Sequence, residues 1–254
     1  MSTALRLLAI IAAIVLVALI LAPTLNAHPQ TSVADETLLT AANRDRAAAG
    51  LQALKWDIAL AAAAHQHALR MAHANTISHQ FPGEAPMQDR ARQAGARFSL
   101  IAENVAEGPS VPGLHTQWMN SPPHRANLLD PQLNAVGISV VQSGSQYFAV
   151  EDFSTVVPLL SLEEQEQKIS ARLSQLGLNV SASPDARKTC SSDRAVSAQK
   201  PVTVVRYETV DLSSLPGDVA RQVSSGKFHS AAVGACEADG SGDFTRYRIA
   251  ILLF

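Results

Sequence analysis

The N-terminal apolar segment constrains this chain most, because it decides the compartment in which the remaining residues fold. Residues 4–22 contain one charged side chain, Arg6, and are otherwise apolar or small. Such a run is typical of an export signal, and Leu25-Asn26-Ala27 offers an imperfect cleavage site because Leu25 is bulky. The uninterrupted part falls just short of a bilayer span, so residues 1–27 are either a signal peptide or an N-terminal membrane anchor. Both alternatives predict an extracytoplasmic chain, secreted, periplasmic or anchored to the membrane.

The two cysteines agree with export. Cys190 and Cys236 both lie in the C-terminal third of the chain. An even pair in an exported protein favours one disulfide over two free thiols, and no further ligands near them are spaced for a metal site. Such a bridge closes a long loop and would contribute about 4 kcal/mol of stability in the chain-entropy model.

Composition excludes several classes of protein. Hydrophobic residues make up 47% of the 254 residues and charged residues 17%, which is typical of a globular chain. This length has room for one ordinary domain and a smaller one. The formal net charge of −2 comes without a basic field, so no nucleic-acid partner is expected.

Cap and turn residues predict a first domain over residues 36–155. Asp35 is a candidate cap for a helix that ends at Gly50, and Asp57 for a second helix that ends near Asn75 and carries a narrow stripe of small residues. Further patterns predict a helix at 87–93, a strand at 100–106, a helix around Trp118, a helix opened by Ser121-Pro122 and a hairpin from 135–141 and 146–153.

A second, smaller α+β module is predicted over residues 161–254. Ser161 and Glu164 form a capping box that opens an amphipathic helix ended by Gly177. The polar run from 179 to 200 is interpreted as a loop held by Cys190. Strands at 202–210, 228–237 and 246–254, with a helix at 216–225, complete a three-stranded module.

Three ionisable side chains occupy positions that the formation of helices and strands does not explain. His79 follows the second helix, Glu103 lies inside the apolar run LIAENVA, and His124 occupies the first turn of a helix. A buried carboxylate requires a partner or a cavity, because an unpaired buried charge costs several kcal/mol. The helix dipole favours a neutral imidazole at His124, which can bind a metal or accept a hydrogen bond.

A purely structural interpretation competes with that one, since ion-pair networks perturb charged groups as active sites do. In it, Glu103 simply holds His79 or backbone amides in place. The three histidines of the second helix, His65, His67 and His73, are interpreted as surface residues. The motifs of zinc proteases, of phosphate-binding loops and of the nucleophile elbow are absent from the sequence.

The order of several motifs over residues 36–155 resembles the bacterial branch of the CAP superfamily (cysteine-rich secretory proteins, antigen 5 and pathogenesis-related proteins). Several motifs in the right order are far more specific than any one of them. The resemblance rests on Asn43-x-x-Arg46, Gly50-Leu51-x-x-Leu54-x-Trp56, Ser78-His79, Glu103-Asn104-Val105-Ala106, Trp118-Met119-x-Ser121-Pro122-x-His124-Arg125-x-Asn127, Val136-Gly137-Ile138 and Asp152-Phe153.

The resemblance implies an α+β fold, an α-β-α sandwich with a central cleft. Animal and plant members place two histidines and two acidic residues in that cleft, sometimes around zinc. His79, Glu103 and His124 match three of these positions, whereas Ser121 stands near the place of the fourth. A complete set of four is therefore not implied, although two imidazoles and one carboxylate could still bind zinc.

Three functions remain open from the sequence. The leading one is a non-enzymatic binding or interaction module that requires no cofactor, with a cleft lined by His79, Glu103, Asn104, Ser121 and His124. Its expected partner is a small apolar ligand, a component of the cell envelope or another protein, with membrane contact only through the N-terminal segment. The alternative is a metal-assisted, peptidase-like hydrolase in which His79 and His124 bind the metal and Glu103 is ligand or general base. A structural role at the cell surface is the third.

Overall fold

The structure, a computed structural model, describes residues 31–192, 194–238 and 244–254. The predicted export segment, residues 1–27, lies outside these ranges. None of the helices within them has the length and hydropathy that crossing a bilayer requires.

The first part of the chain builds one four-stranded sheet between helices. The strand order is β1-β3-β4-β2, with β1 parallel to β3 and the other pairs antiparallel, so β2 is an edge strand. The elements are α1 (Val33–Ala48), β1 (Lys55–Trp56), α2 (Ile58–Ala74), α3 (Met87–Gln93), β2 (Phe98–Gly108), α4 (Val111–Asn120), α5 (Pro122–Leu128), β3 (Ala135–Ser143) and β4 (Gln146–Val156).

Helices cover both faces of this sheet, which gives the expected α-β-α sandwich. On one face the small residues of α2 pack against Val105, Phe148 and Val150. On the other face α1, α4 and α5 bury Trp118 and Leu128 with Ile138 and its neighbours. Alternate residues of a strand point to opposite faces, so successive residues of β2 and β4 serve the two layers in turn.

The Asn43-x-x-Arg46 motif is structural. The Arg46 side chain is 1% exposed and donates to the backbone carbonyls of Gln52, Leu128, Asp130 and Leu133 at 2.8–2.9 Å. A buried guanidinium has five N–H donors to satisfy, and these four carbonyls tie α1 to the two loops beside it.

The start of α1 differs from the prediction. The N-cap is Ser32, and Asp35 is the third helical residue of a capping box with it. The other carboxylate oxygen of Asp35 accepts a hydrogen bond from the Val140 amide at 2.8 Å. Asp35 therefore joins the helix to the sheet, a role that its local sequence does not reveal.

The C-terminal part of the chain builds a second four-stranded sheet. Its order is β5-β7-β8-β6, with β5 parallel to β7 and the other pairs antiparallel. The capping box of Ser161 and Glu164 opens its first helix, as predicted. The elements are α6 (Leu162–Gln175), β5 (Asn179–Ala182), α7 (Pro184–Cys190), β6 (Thr203–Thr209), α8 (Gly217–Val223), β7 (Ser230–Cys236) and β8 (Tyr247–Leu253).

The prediction of three strands and a long polar loop in this region was wrong. The run from 179 to 200 contains β5 and α7, and α7 buries only Ala186, Thr189 and Cys190. Such a narrow face gives almost no hydrophobic periodicity. It suffices because Gly234 lets the backbone of α7 approach β7 closely, and the predicted disulfide between Cys190 and Cys236 joins the same two elements.

Close packing of α2 on the first sheet gives a test of this architecture. A Cβ at Gly137 of β3 would lie 2.0 Å from the Ala61 amide nitrogen, so Gly137→Ala must push the helix off the sheet. We expect a loss of at least about 1–3 kcal/mol in the free energy of unfolding, measured by chemical denaturation. Gly217→Ala is the matched control, since its nearest neighbour lies at 3.5 Å; equal stability of the two variants would contradict this packing.

Candidate functional site

The candidate site lies along the free edge of β2, where two successive residues face opposite layers. Glu103 points to the α2 side of the sheet and Asn104 to the α5 side. Both are buried, with Glu103 7% and Asn104 0% exposed. Glu103 therefore contacts the loop that carries His79 on one side of the sheet, and Asn104 contacts α5, which carries His124, on the other.

The Glu103 carboxylate holds two cationic groups. One oxygen accepts a hydrogen bond from His79 Nδ1 at 2.8 Å, and the other forms an ion pair with the Arg90 guanidinium. The imidazole of His79 is 61% exposed whereas the carboxylate is 3% exposed. Bonding to Glu103 raises the pKa of His79, outweighing the effect of partial burial. The buried Glu103 carboxylate thus orients the exposed ring of His79, whose Nε2 makes no bond to Glu103.

Further polar and charged groups surround the His79–Glu103 pair. Arg90 also donates to the His79 carbonyl at 3.1 Å. The His67 ring lies between the Glu84 carboxylate, at 2.8 Å, and the Ser78 carbonyl, at 2.7 Å. Each ring nitrogen of His67 therefore has a hydrogen-bond partner. These bonds fix the loop that carries His79.

His67 was wrongly predicted to be a surface residue. It is 0% exposed, and it links α2 to the loop after it. His65 is half-buried and contacts Ser139 at 3.0 Å, while His73 is exposed as expected. Helical spacing does not distinguish the three residues, because the loop that covers His67 comes from a later part of the chain.

His124 is held from the other layer. Asn104 Nδ2 donates to the His124 carbonyl at 3.2 Å, and Asn127 Nδ2 donates to Asn104 Oδ1 at 3.0 Å and the Glu103 carbonyl at 3.3 Å. Partial burial lowers the pKa of His124, and the charge of His79 lowers it further.

Ser121 is less closely connected to this site. It separates α4 from α5, and its backbone bonds Trp118 and Arg125, but its side chain caps neither helix. Its role in a cleft stays a prediction.

Comparison with known proteins gives the family. The family model described as CAP, the cysteine-rich secretory protein family, matches residues 39–157. This part of the chain belongs to the CAP family. The curated protein YkwD of Bacillus subtilis, of uncharacterised function, is 30% identical over 123 residues, which are 48% of each chain. The chain therefore spans about half the length of that relative.

Solved structures of CAP-domain proteins are similar as well. An extracellular SCP-domain protein of Bacillus anthracis is 30% identical, with a TM-score of 0.43 over 47% of this chain and 39% of the other. An outer surface protein of Borrelia burgdorferi is 21% identical, with a TM-score of 0.47 over 50% of this chain and 96% of the other.

The CAP domain fits zinc only in part. His79 has its Nδ1 on a carboxylate and Nε2 available, which is the usual arrangement of a metal-binding histidine. However, both oxygens of Glu103 already bond cations, so the prediction that Glu103 itself binds the metal finds no support. No group of three or more His, Cys, Asp or Glu that could hold a metal exists in the described ranges. His79 and His124 alone remain as candidate ligands.

Two buried acids of the CAP domain were not among the predicted site residues. Glu151 and Asp152 on β4 are both 0% exposed. Glu151 accepts one long hydrogen bond, 3.4 Å from Asn104 Nδ2, and Asp152 lies opposite Glu103 in the β2–β4 register. Burial raises the pKa of Glu151 to about 8, while burial and the Glu103 charge raise that of Asp152 well above its usual range. Burial therefore favours the protonated form of both side chains.

The signal for these two acids was present in the sequence. The strand QYFAVEDF places carboxylates in an apolar run just as LIAENVA does, and the cost of burying a charge that singled out Glu103 applies equally to them. What the sequence does not show is their pairing. Cross-strand register sets Asp152 beside Glu103 and Glu151 beside Asn104.

The bond between His79 and Glu103 predicts a pH effect. We expect Glu103→Gln to lower the pKa of His79, because the neutral amide no longer favours the imidazolium. The pKa is measured by NMR titration of the His79 ring. In the wild type this bond stabilises the fold below the unfolded pKa of His79, and that contribution is lost as pH rises through the folded value. Glu107→Gln, an exposed change on the same strand, should leave His79 unaffected; an unchanged His79 in both variants would refute the assignment.

The buried acid Glu151 predicts a second pH effect. Its folded pKa of about 8 exceeds the ordinary value of 4.5, so the wild type loses stability as pH rises between these values. We expect Glu151→Gln to gain stability over the wild type by up to about 1.4 kcal/mol per pH unit across that interval and no further above it. Denaturation curves from pH 4 to 9 measure the difference. A difference that does not vary with pH would show that Glu151 is charged when folded.

Proposed function

We propose that this chain is an exported, non-enzymatic binding protein whose CAP domain recognises its partner at the edge formed by His79 and His124. The observation that carries the proposal is the state of His79: the ring is mostly exposed, yet its Nδ1 is fixed by a buried carboxylate. A pre-oriented exposed donor loses little entropy when it binds.

The bonding of Glu103 favours binding over hydrolysis. A general base must reach a water or a substrate proton, whereas the Glu103 side chain is 3% exposed and each of its oxygens already has a partner. The cluster behind it is sealed, with Glu84 and His67 side chains at most 4% exposed. These groups are suited to orienting His79.

The ligand chemistry follows from the exposed nitrogen. Because Nδ1 of His79 already donates to Glu103, Nε2 is a second donor when the ring is an imidazolium, the form that the raised pKa favours. We propose a partner in the cell envelope that presents a carboxylate or phosphate acceptor beside an apolar part. A small apolar ligand without an acceptor is the competing outcome of the experiment below.

An extracytoplasmic location supports the same function. The apolar segment before residue 28 is typical of export, and the disulfide requires an oxidising compartment. The similar proteins of Bacillus anthracis and Borrelia burgdorferi are described as extracellular and as an outer surface protein. We propose no nucleic-acid partner and no membrane contact beyond the N-terminal segment.

The proposal is tested by binding of the purified chain to isolated cell envelopes of the producing organism. We expect the double variant His79→Ala/His124→Ala to bind at least about tenfold more weakly, since hydrogen bonds to charged groups contribute about 1.5–3 kcal/mol. His73→Ala, an exposed histidine of α2, is the control and should bind as the wild type does.

Three results would contradict the proposal. Equal binding by the double variant and the control would place the contact elsewhere. Stoichiometric zinc in the purified protein, together with a peptidase activity that the double variant lacks, would establish the hydrolase instead. A lipid that copurifies with the wild type and is lost from the double variant would replace the acceptor-bearing partner by a small apolar ligand.

A further inference from the structure

A cavity of about 700 Å³ lies where the CAP domain meets the C-terminal part of the chain. Arg97, just before β2, lines it on one side, and Gln165 of α6 on the other. The segment 244–247, which leads into β8, contributes a third wall. None of the three residues His79, Glu103 and His124 lines this cavity. The cavity is therefore separate from the site that these three residues form along β2, called the edge site below.

The walls of this junction cavity are held by specific contacts. The Thr245 amide donates to the Phe98 carbonyl at 2.8 Å, and the Phe98 amide donates back to Thr245 Oγ1 at 3.2 Å. The Phe98 and Phe244 rings meet edge to face with centroids 6.1 Å apart. Tyr247 donates its hydroxyl to the Pro158 carbonyl at 2.6 Å. The cavity is therefore preformed by both parts of the chain.

Two buried polar atoms at this cavity have no partner among the described residues. They are Arg97 Nε, a donor, and Gln165 Oε1, an acceptor. Gln165 is 7% exposed, and its amide nitrogen already donates to the Leu160 carbonyl at 2.9 Å, which leaves Oε1 as the unused end. Buried polar atoms without partners are rare in proteins and require an explanation. A ligand that accepts from Arg97 and donates to Gln165 supplies one.

The other residues that line the cavity indicate which chemical groups a ligand would carry. Arg246 adds a second guanidinium, which is exposed, and the three arginines of the lining outnumber its two carboxylates, Glu208 and Glu237, so the cavity favours a carboxylate as the acceptor group. Leu159 and Phe244 line the same cavity and are 79% and 39% exposed, so both offer apolar surface to a ligand. The site thus offers places for a carboxylate, an N–H group and an apolar side chain.

We propose that the junction cavity binds an N-acylated apolar amino acid, the chemistry that also occurs at the C-terminal end of a short peptide. The carboxylate binds Arg97 and Arg246, the amide N–H donates to Gln165 Oε1, and the side chain covers Leu159 and Phe244. This site gives the C-terminal part of the chain a function, because Gln165 and segment 244–247 line the cavity.

Three small probes test the assignment on the full chain. N-acetyl-L-leucine carries all three groups, N-acetyl-L-leucinamide lacks the carboxylate, and 4-methylpentanoate lacks the amide. We expect saturable NMR shifts of amides around Arg97 and Gln165 with the first probe and at least about tenfold weaker binding of the other two. N-acetyl-Ala-Ala-Leu distinguishes the sources: tighter binding than N-acetyl-L-leucine indicates a peptide, and weaker binding indicates a free acylated amino acid.

Variants assign the two polar contacts. Arg97→Gln should weaken the binding of N-acetyl-L-leucine at least about tenfold, although Arg246 still contacts the carboxylate, while Arg221→Gln, an exposed arginine of α8, should change nothing. Gln165→Leu should abolish the preference for N-acetyl-L-leucine over 4-methylpentanoate. Thermal melting checks folding, and if Gln165→Leu does not fold, the preference of the wild type among the three probes decides alone.

The outcome is independent of the edge site. The double variant His79→Ala/His124→Ala should bind N-acetyl-L-leucine as the wild type does, so failure of one proposal is distinguishable from failure of the other. Absence of saturable shifts with every probe, or equal affinity of the wild type and Arg97→Gln, would overturn the junction site.

Discussion

The arrangement of the edge site depends on the buried carboxylate of Glu103. A buried carboxylate requires charged or polar partners, and here Arg90 of α3 and His79 of the loop before α3 supply them. The same requirement fixes the direction of the His79 ring, because its bond to Glu103 is made from Nδ1. The need of the buried Glu103 carboxylate for a partner thus orients the exposed ring of His79 at the surface.

The groups around Glu103 explain why the pKa of Asp152 is raised. On the α2 side of the sheet, Arg90 and His67 contact the carboxylates of Glu84 and Glu103. Asp152 lies beside Glu103 with no further cation for it among the described residues, and its pKa rises accordingly. A second negative charge beside Glu103 is unfavourable, so the protonated form of Asp152 is favoured. The charge of Glu103 therefore affects Asp152 across the β2–β4 pair.

Edge strand β2 also couples the two helical layers. Because Glu103 and Asn104 are consecutive, the loop with His79 and the helix with His124 are held by neighbouring residues of one strand. Asn127 bonds both of them, through the Glu103 carbonyl and the Asn104 side chain. Only an edge strand leaves such a backbone carbonyl open to a side chain, which places the site at the rim of the sheet.

Local sequence determined the caps of α2 and α6, the hairpin of β3 and β4, the cysteine pair and the family, because each depends on neighbouring residues or on ordered motifs. Acids within apolar strands are also visible in the sequence: Glu103 was predicted in this way, and Glu151 and Asp152 could have been. Only the tertiary structure decided that His67 is buried, that 179–200 contains β5 and α7, and that Arg97 and Gln165 share a cavity. The burial of His67, the elements within 179–200 and the cavity all depend on which segments pack against one another in space. A pattern of residues along the chain does not specify that packing.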